Sequence, residues 1–425
     1  MKKESQKIVI VGAGVSGLIA AKVLEEAGYQ TILIEESDRI GGRLKTDTVD
    51  GFELDHGFQV LLTQYPAVQK YLDLKALDLI SLWPGAAILK NGRHYRFGDP
   101  LRSLQFLLPV LTSPLATLKD KWLTYALTQQ LKKETPEAIF EKPSSTTLDY
   151  LRKKGFSQGI IDNFFRPFYA GIFLEPHLDT SSRMFEFIFK MFAEGSAAIP
   201  REGMKAIPEQ LFAPLKNTNL RLNTKVAHIS DDGVVLQNGE EILADAVIVA
   251  CKPPQKMMAS SSPDQKWNGC YNFYFEVDRK LWEGPLIGLV ERKDALINNV
   301  FHPTSIHPSP QKGKHLLSVT VLNPKNNPEE KSENAAVENE SQLVTQVQAS
   351  LRDLYQLNEV RFIKAFYIPQ SLPVIEKPSY QSTPSLIKFS KRIYLAGDAQ
   401  SNASLNGAML SGETAAKTLI EDLPK

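Results

Sequence analysis

The sequence predicts an α/β fold of the doubly wound kind, in which a parallel-sheet domain is interrupted by a second domain of α+β character. Three observations carry this. Near the N-terminus an apolar run at residues 8–11 ends on glycine, a helix-period run follows at 16–27, and a β-branched run follows at 31–34. That order is one βαβ unit. The C-terminal end returns to the same grammar, with a strand at 392–396 closed by Gly397-Asp398 and a helix over 406–420. Between these ends the pattern changes twice, and 425 residues is more chain than one hydrophobic core usually serves. The expected division is a discontinuous domain of residues 1–75, 195–260 and 385–425, and a second domain of 76–194 and 261–384.

Taken in order, residues 8–11 are apolar at every position, as a strand buried on both faces requires. The helix at 16–27 repeats its apolar positions at Leu18, Ile19, Val23 and Leu24 and stops at Gly28. Residues 72–192 read as predominantly helical, rich in leucine and aromatics. Residues 220–229 and 234–236 read as strands around an Asp231-Asp232-Gly233 turn, with a further turn at Asn238-Gly239 and a buried strand at 246–250. Phe273, Phe275 and Val277 alternate, which suits a half-buried strand at 272–277. The polar stretch 323–342 lacks an apolar period and reads as a loop or helix lead-in, ahead of an amphipathic helix at 341–357. There is no internal repeat.

Composition narrows the function. Apolar and charged fractions of 43% and 23% are those of a soluble globular chain. A net charge of +1 leaves no electrostatic footprint for nucleic acid. Two cysteines, Cys251 and Cys270, build neither a disulfide framework nor a metal site, and the seven histidines fall in no metal-ligand spacing. No metal is expected, and the setting expected is reducing and cytoplasmic. The N-terminal apolar run is too short for a signal peptide and flows into a glycine motif. No stretch reaches the roughly 20 apolar residues of a membrane span. The uncharged segment 103–118, broken by Pro109 and Pro114, is expected to be buried or interfacial, and is where a peripheral membrane contact would form.

The glycine motif is Gly12-Ala13-Gly14-Val15-Ser16-Gly17, between the first strand and the first helix. Gly12 permits the tight turn, Gly14 lets a pyrophosphate approach the backbone, and Gly17 lets helix and strand close up. The helix N-terminus then turns free N–H groups and a positive dipole end on the phosphates. Glu35 ends the second strand, where a carboxylate accepts ribose hydroxyls and repels a 2′-phosphate. This much does not separate NAD from FAD. Three further features do. Gly41-Gly42-Arg43 offers a second phosphate-facing loop with a guanidinium. Gly397-Asp398 followed by Asn406-Gly407-Ala408 places a helix start where it would meet the flavin edge that becomes negative on reduction. Residues 200–204 form a turn into a helix, with Val226 on a following strand.

Together these residues resemble the flavin amine oxidase superfamily, which includes monoamine and polyamine oxidases, protoporphyrinogen oxidases and phytoene-desaturase-like enzymes. The resemblance spans nearly the whole chain and is strongest at 8–60, 164–174, 199–250 and 392–417. It implies a Rossmann-like, two-dinucleotide-binding FAD domain with an inserted substrate domain. Gly12, Gly14, Gly17 and Glu35 would hold the ADP half, and Gly41, Gly42 and Arg43 the pyrophosphate and flavin. Val226 would meet the adenine. Gly397 and Asp398 would hold the pyrophosphate–ribityl segment, and Asn406, Gly407 and Ala408 the isoalloxazine. The segment Leu54-Asp55-His56-Gly57 would pass beside the flavin, with Gly57 against it. His56 is the one candidate for a catalytic group.

The departures are informative. Covalent members carry a cysteine shortly before the last strand; residues 366–391 contain none, so non-covalent FAD is expected. Amine oxidases carry an aromatic cage residue where this chain has Ser404 and Leu405. Residues 166–173 and 368–373 look more like the protoporphyrinogen oxidase and phytoene desaturase branch. The aromatic run Phe185, Phe187, Phe189 and Phe192, and the stretch around Phe106, could line a tunnel for a bulky apolar substrate, or could be ordinary core. No second G-x-G-x-x-G appears, so the substrate must reduce the flavin directly. The expected activity is hydride removal from a C–H bond of an apolar, isoprenoid- or tetrapyrrole-like molecule, with oxygen or a quinone as electron acceptor. The rivals are a flavin amine oxidase and a non-catalytic carrier of lipid or prenyl groups on the same fold.

Overall fold

The computed structural model describes residues 6–252, 265–291, 295–322 and 333–423, with side chains described from residue 340 in the last stretch. Its first sheet has five parallel strands in the order Thr218–Arg221, β2 (Gln30–Ile34), β1 (Lys7–Val11), Ala246–Val249, Ile393–Leu395. The apolar run of β1 is explained by what lies on each side. Ile8 and Ile10 face the core shared with α1 (Val15–Glu26) and the final helix, Leu405–Asp422. Val9 and Val11 face a second core built with Val226, Ile229, Val234 and Ile242 of a small three-stranded antiparallel sheet. A strand with period-2 side chains and cores on both faces has no position left for a polar residue.

A seven-stranded sheet forms the second body of structure. Its order is Val360–Pro373, Trp267–Val277, His315–Leu322, Asn299–Phe301, Ile287–Val290, Gly85–Lys90, Arg93–Gly98. Pairing is antiparallel except between Ile287–Val290 and Gly85–Lys90. Helices between residues 107 and 194 accompany it, with Leu118–Lys132 packed on Ser182–Glu194.

Three expectations are corrected here. The stretch 72–192 is not all helical, since it opens with strands Leu79–Ser81, Gly85–Lys90 and Arg93–Gly98. The hairpin between the last two turns on Asn91 (φ 50) and Gly92 (φ 71), both in the left-handed region that such a two-residue turn demands. The single strand read over 220–229 is two, in different sheets. Thr218–Arg221 joins the parallel sheet and Val226–Ser230 the small antiparallel one, with Asn223 at φ 52 between them. The helix expected at 341–357 starts earlier, at Glu333, so part of the polar stretch is helical; residues 323–332 lie outside the described residues.

Candidate FAD site and substrate cleft

The two glycine loops meet. Gly14 and Gly41 are bridged in parallel, the Gly41 amide donates to the Ala13 carbonyl at 2.9 Å, and Gly12 N–H donates to Ile34 O at 2.7 Å. Each glycine has a distinct reason. A Cβ at Gly17 would collide with the carbonyl oxygen of Gly12, so this one is fixed by the protein itself. At Gly14 a Cβ would meet nothing closer than Gly42 Cα at 3.8 Å, and its φ of −72 is open to any residue. The protein leaves that space free, at the N-cap of a helix that has no side-chain cap. Gly397 likewise has open space around it, at φ +142. Both line a common cleft. Bare backbone, an uncapped helix start and room beside both are what a pyrophosphate needs.

Glu35 is tied to this loop. Its Oε2 accepts from the Ala13 amide at 2.8 Å, and its Oε1 from the Ser37 amide and hydroxyl at 3.0 and 2.7 Å. A carboxylate has about four lone-pair sites, so Oε2 keeps capacity for a ribose hydroxyl. Arg43 links the loop to the C-terminal segment: its guanidinium donates to Asp398 Oδ1 and to the Ser371 carbonyl, both at 2.6 Å. Asp398 is nearly buried and Arg43 is 41% exposed, so the pair is anchored at one end and open to the cleft at the other. Arg43 and Lys252 lie over Trp267, at 5.7 and 5.9 Å from its centroid. Sequence reasoning missed Ser371, Lys252 and Trp267. Only the fold brings them to Arg43; Ser371 stands in the 368–373 stretch, where nothing marks it as a partner of Arg43, and no local motif marks Lys252 or Trp267.

The remaining candidates fall into two groups. Val226, Gly57, His56 and Ala408 line the cleft. Ala408 is fixed by Ser16, whose hydroxyl donates to its carbonyl at 2.9 Å. The His56 ring stacks on Phe366 at 4.1 Å and its Nε2 lies 3.1 Å from Asp47. Desolvation lowers the His56 pKa against the pull of Asp47, so the ring is neutral near pH 7. Asn406 and Gly407 are set back. Asn406 is fully buried and accepts the Ala67 amide at 2.9 Å, while Gly407 packs on Ser401 and Asn402 and donates to the Ser404 cap. The thiol of Cys251 lies in the cleft beside Gly12, where desolvation, Glu35 and Glu36 raise its pKa.

From the glycine loops the cleft runs on, with a total volume of about 4060 Å³, into a region walled by Phe164, Phe168, Phe189, Phe192, Ile287 and Leu296. Small-molecule sites commonly occupy about 300–1,000 Å³, so this open cleft has room for a dinucleotide and a second molecule. The aromatics that could line a tunnel or be core divide between the two. Phe189 and Phe192 line the cleft, whereas Phe185, Phe187 and Phe106 are fully buried core. Of the acids in the cleft wall, Glu175 binds the His177 and Thr180 amides, Asp99 caps the Leu101 amide, and Glu291 lies 3.6 Å from Lys90, while Asp179 and Glu376 also line the cleft. Ser404 and Leu405 border the cleft. Among the described residues no cluster of His, Cys, Asp and Glu is placed to hold a metal ion, and no helix is long and apolar enough to cross a membrane.

Comparison with known proteins gives the family and the fold. The chain is 25% identical to 15-cis-phytoene desaturase of Capsicum annuum, over 98% of this chain and 78% of that protein. It is 30% identical to an L-amino-acid oxidase of Sistrurus catenatus edwardsii, but that alignment spans 37% of this chain and about a third (32%) of the relative. In three dimensions it is similar to a putative protoporphyrinogen oxidase from Exiguobacterium sp. 255-15, with a TM-score of 0.71 at 19% identity over 99% of this chain and 100% of that one; this likeness is one of fold. A model of the family described as flavin containing amine oxidoreductase matches residues 15–420. The chain belongs to that family, the flavin-containing amine oxidoreductases, a group of FAD-dependent oxidoreductases.

Proposed function

We propose that this protein holds FAD non-covalently and removes hydride from a C–H bond of an apolar, isoprenoid- or tetrapyrrole-like small molecule, leaving a new double bond. The observation that carries this reading is the continuous cleft from the glycine loops into an aromatic and aliphatic wall. A cation-selecting site would need an aromatic face or a free carboxylate near the flavin. Ser404 and Leu405 offer no such face, and Trp267 in the cleft already lies under Arg43 and Lys252. Glu175, Asp99 and Glu291 are engaged, so Asp179 and Glu376 are the cleft carboxylates that an amine would use. The phytoene desaturase similarity over 98% of the chain supports the same class.

The protein's part is to bind, orient and keep dry. Gly12, Gly14, Gly41, Gly42 and Gly397 would admit the pyrophosphate to bare backbone. Glu35 would hold the ribose, and Arg43 with Asp398 the phosphate–ribityl segment. Val226 would meet the adenine and Ala408 the ring system. When bound, FAD supplies the hydride acceptor. Phe164, Phe168, Phe189 and Phe192 would press the substrate into place and exclude water. Hydride loss from one carbon is balanced by proton loss from its neighbour; the electrons go on to oxygen or a quinone.

The test is anaerobic. Flavin absorbance of the purified holoprotein should bleach with a member of a polyene, terpenoid or tetrapyrrole panel, and acid precipitation should release the flavin into the supernatant. Rapid bleaching by mono-, di- or polyamines, with none by the apolar panel, would replace this reading with an amine oxidase.

A further inference from the structure

Residues 101–125 present two opposite faces. Inward, Phe106, Val110 and Leu115 are buried, and Phe106 fills the space that Gly85 and Gly98 leave. A Cβ at either glycine would lie 2.7–2.8 Å from its ring. Outward, Leu101, Leu104, Leu107, Leu108, Leu111 and Leu118 are between 47% and 82% exposed. Leu118 begins the helix Leu118–Lys132, where Trp122 and Tyr125 follow it at i+4 and i+7 on the same face, 65% and 52% exposed. Lys121 Nζ donates to the Leu111 carbonyl at 3.3 Å, which joins this helix face to the leucine segment. Folded soluble proteins rarely leave so much aliphatic surface open without a partner for it.

The charge around the patch is mainly positive, with Asp99, which accepts from the Leu101 amide at 2.9 Å, as an acid at its edge. Lys119 and Lys121 border it on the helix Leu118–Lys132, and Arg102 follows Leu101, its guanidinium donating to the Phe192 carbonyl at 2.6 Å. The acid of this segment, Asp120, is buried and occupied by Thr117 and Ser157. Leu101, Arg102, Lys121 and Tyr125 also line the cleft, so the patch stands at its mouth. A second copy meeting this face by two-fold symmetry would set basic rim against basic rim. An anionic lipid surface satisfies both the leucines and the cations, with Trp122 and Tyr125 at headgroup depth.

We propose that this face docks the protein on a bilayer containing anionic lipid, and that the cleft opens into the membrane so that substrate enters from the acyl layer. The use made of the docking rests on the apolar-substrate reading; the docking itself does not. The test is sedimentation of the holoprotein with phosphatidylcholine vesicles, with and without phosphatidylglycerol. Vesicles containing phosphatidylglycerol should carry it down, less so at high salt. Leu104→Ser/Leu108→Ser/Leu111→Ser should lower the partition coefficient at least about tenfold. Lys119→Glu should lower binding to the anionic vesicles alone. Leu243→Ser, on an exposed leucine outside the patch, should change nothing. Melting temperature and flavin content should be the same in all variants, because the side chains altered are exposed.

Holoprotein that stays in the supernatant with both vesicle types overturns the proposal. So does a Leu243→Ser variant as impaired as the triple one, or a wild-type dimer that the triple variant dissolves while vesicles bind neither. Vesicle binding without bleaching by apolar compounds would leave the docking standing and remove the substrate reading. Bleaching in detergent without vesicle binding would do the reverse.

Discussion

Gly14 and Gly17 separate cofactor binding from folding, because the structure gives them different reasons to be glycine. Gly14→Ala adds a methyl whose nearest protein neighbour is Gly42 Cα at 3.8 Å, at a φ of −72 that alanine adopts freely. In the FAD-free protein the expected loss is that of an N-cap glycine, up to roughly 1 kcal/mol, or a Tm lower by no more than about 4 °C. The same methyl stands where the pyrophosphate must approach. Overpacking costs typically about 1–3 kcal/mol, so FAD should bind roughly 5- to 150-fold more weakly. Gly17→Ala puts its methyl against the Gly12 carbonyl oxygen whether FAD is present or not. It should therefore lower the Tm of the FAD-free protein by more than Gly14→Ala does. The assay is flavin-fluorescence titration of apoprotein, paired with thermal melts without flavin. Wild-type FAD affinity in Gly14→Ala would show that the pyrophosphate does not cross this residue. An apoprotein melt as low as that of Gly17→Ala would show that the space beside Gly14 is not free.

Glu35→Ala should weaken FAD at least about tenfold, since each charge-assisted hydrogen bond contributes roughly 1.5–3 kcal/mol; an unchanged titration would remove Glu35 as the ribose ligand. It should also lower the apoprotein Tm slightly, because the carboxylate binds the Ala13 amide and Ser37. Asp55 predicts a pH slope: desolvation pushes its carboxyl up to about 6, against hydrogen bonds from Thr46 and the Met204 amide. A raised folded pKa means stability fully present below about pH 4 and lost as pH rises through 6. Asp55→Asn keeps both hydrogen bonds on Oδ1, so it should flatten that slope and be more stable than the parent at pH 8, by up to about 3 kcal/mol. Urea midpoints at pH 4, 6 and 8 with parallel curves for both proteins would refute the assignment.

What could be read in the sequence follows from what is local. The β1–α1–β2 unit, the glycine loop and Glu35 lie within 30 residues, and each residue's role depends on neighbours a few positions away. The final strand and helix were legible for the same reason. The hairpin at Asn91-Gly92 carried its own turn signal but sat inside a long leucine-rich stretch, where the continuous apolar run of Gly85–Lys90 reads equally as helix. Trp267, Ser371 and Lys252 were illegible because they meet Arg43 only after the long strands Trp267–Val277 and Val360–Pro373 pair. The outward leucines of residues 101–118 look, in sequence, like any buried segment; only the position of Phe106 under Gly85 and Gly98 decides which side is core.

The helix Ser182–Glu194 shows the same limit in one element and yields a further test. Phe185, Phe189 and Phe192 share a helix face by i, i+4, i+7 spacing, yet they do different things. Tyr169 and Phe165 cover Phe185, with ring centroids 4.7 and 5.9 Å away, and it is fully buried. Further along the same face, Phe189 and Phe192 emerge into the cleft, where Phe168 meets Phe192 at 5.4 Å. Phe185→Ala should cost the roughly 3–5 kcal/mol of an emptied core site, and it should act on stability before it acts on substrate. Phe189→Ala and Phe192→Ala remove side chains that are half-buried against open space, so each should cost less in stability. Their effect should appear in substrate affinity, with FAD affinity unchanged because neither reaches the glycine loops. Urea melts, flavin titration and anaerobic bleaching rates of the three variants decide it. If Phe192→Ala lost as much stability as Phe185→Ala, the ring would belong to the core. If all three bleached with the same substrate dependence as wild type, the aromatic wall would not be where the substrate lies.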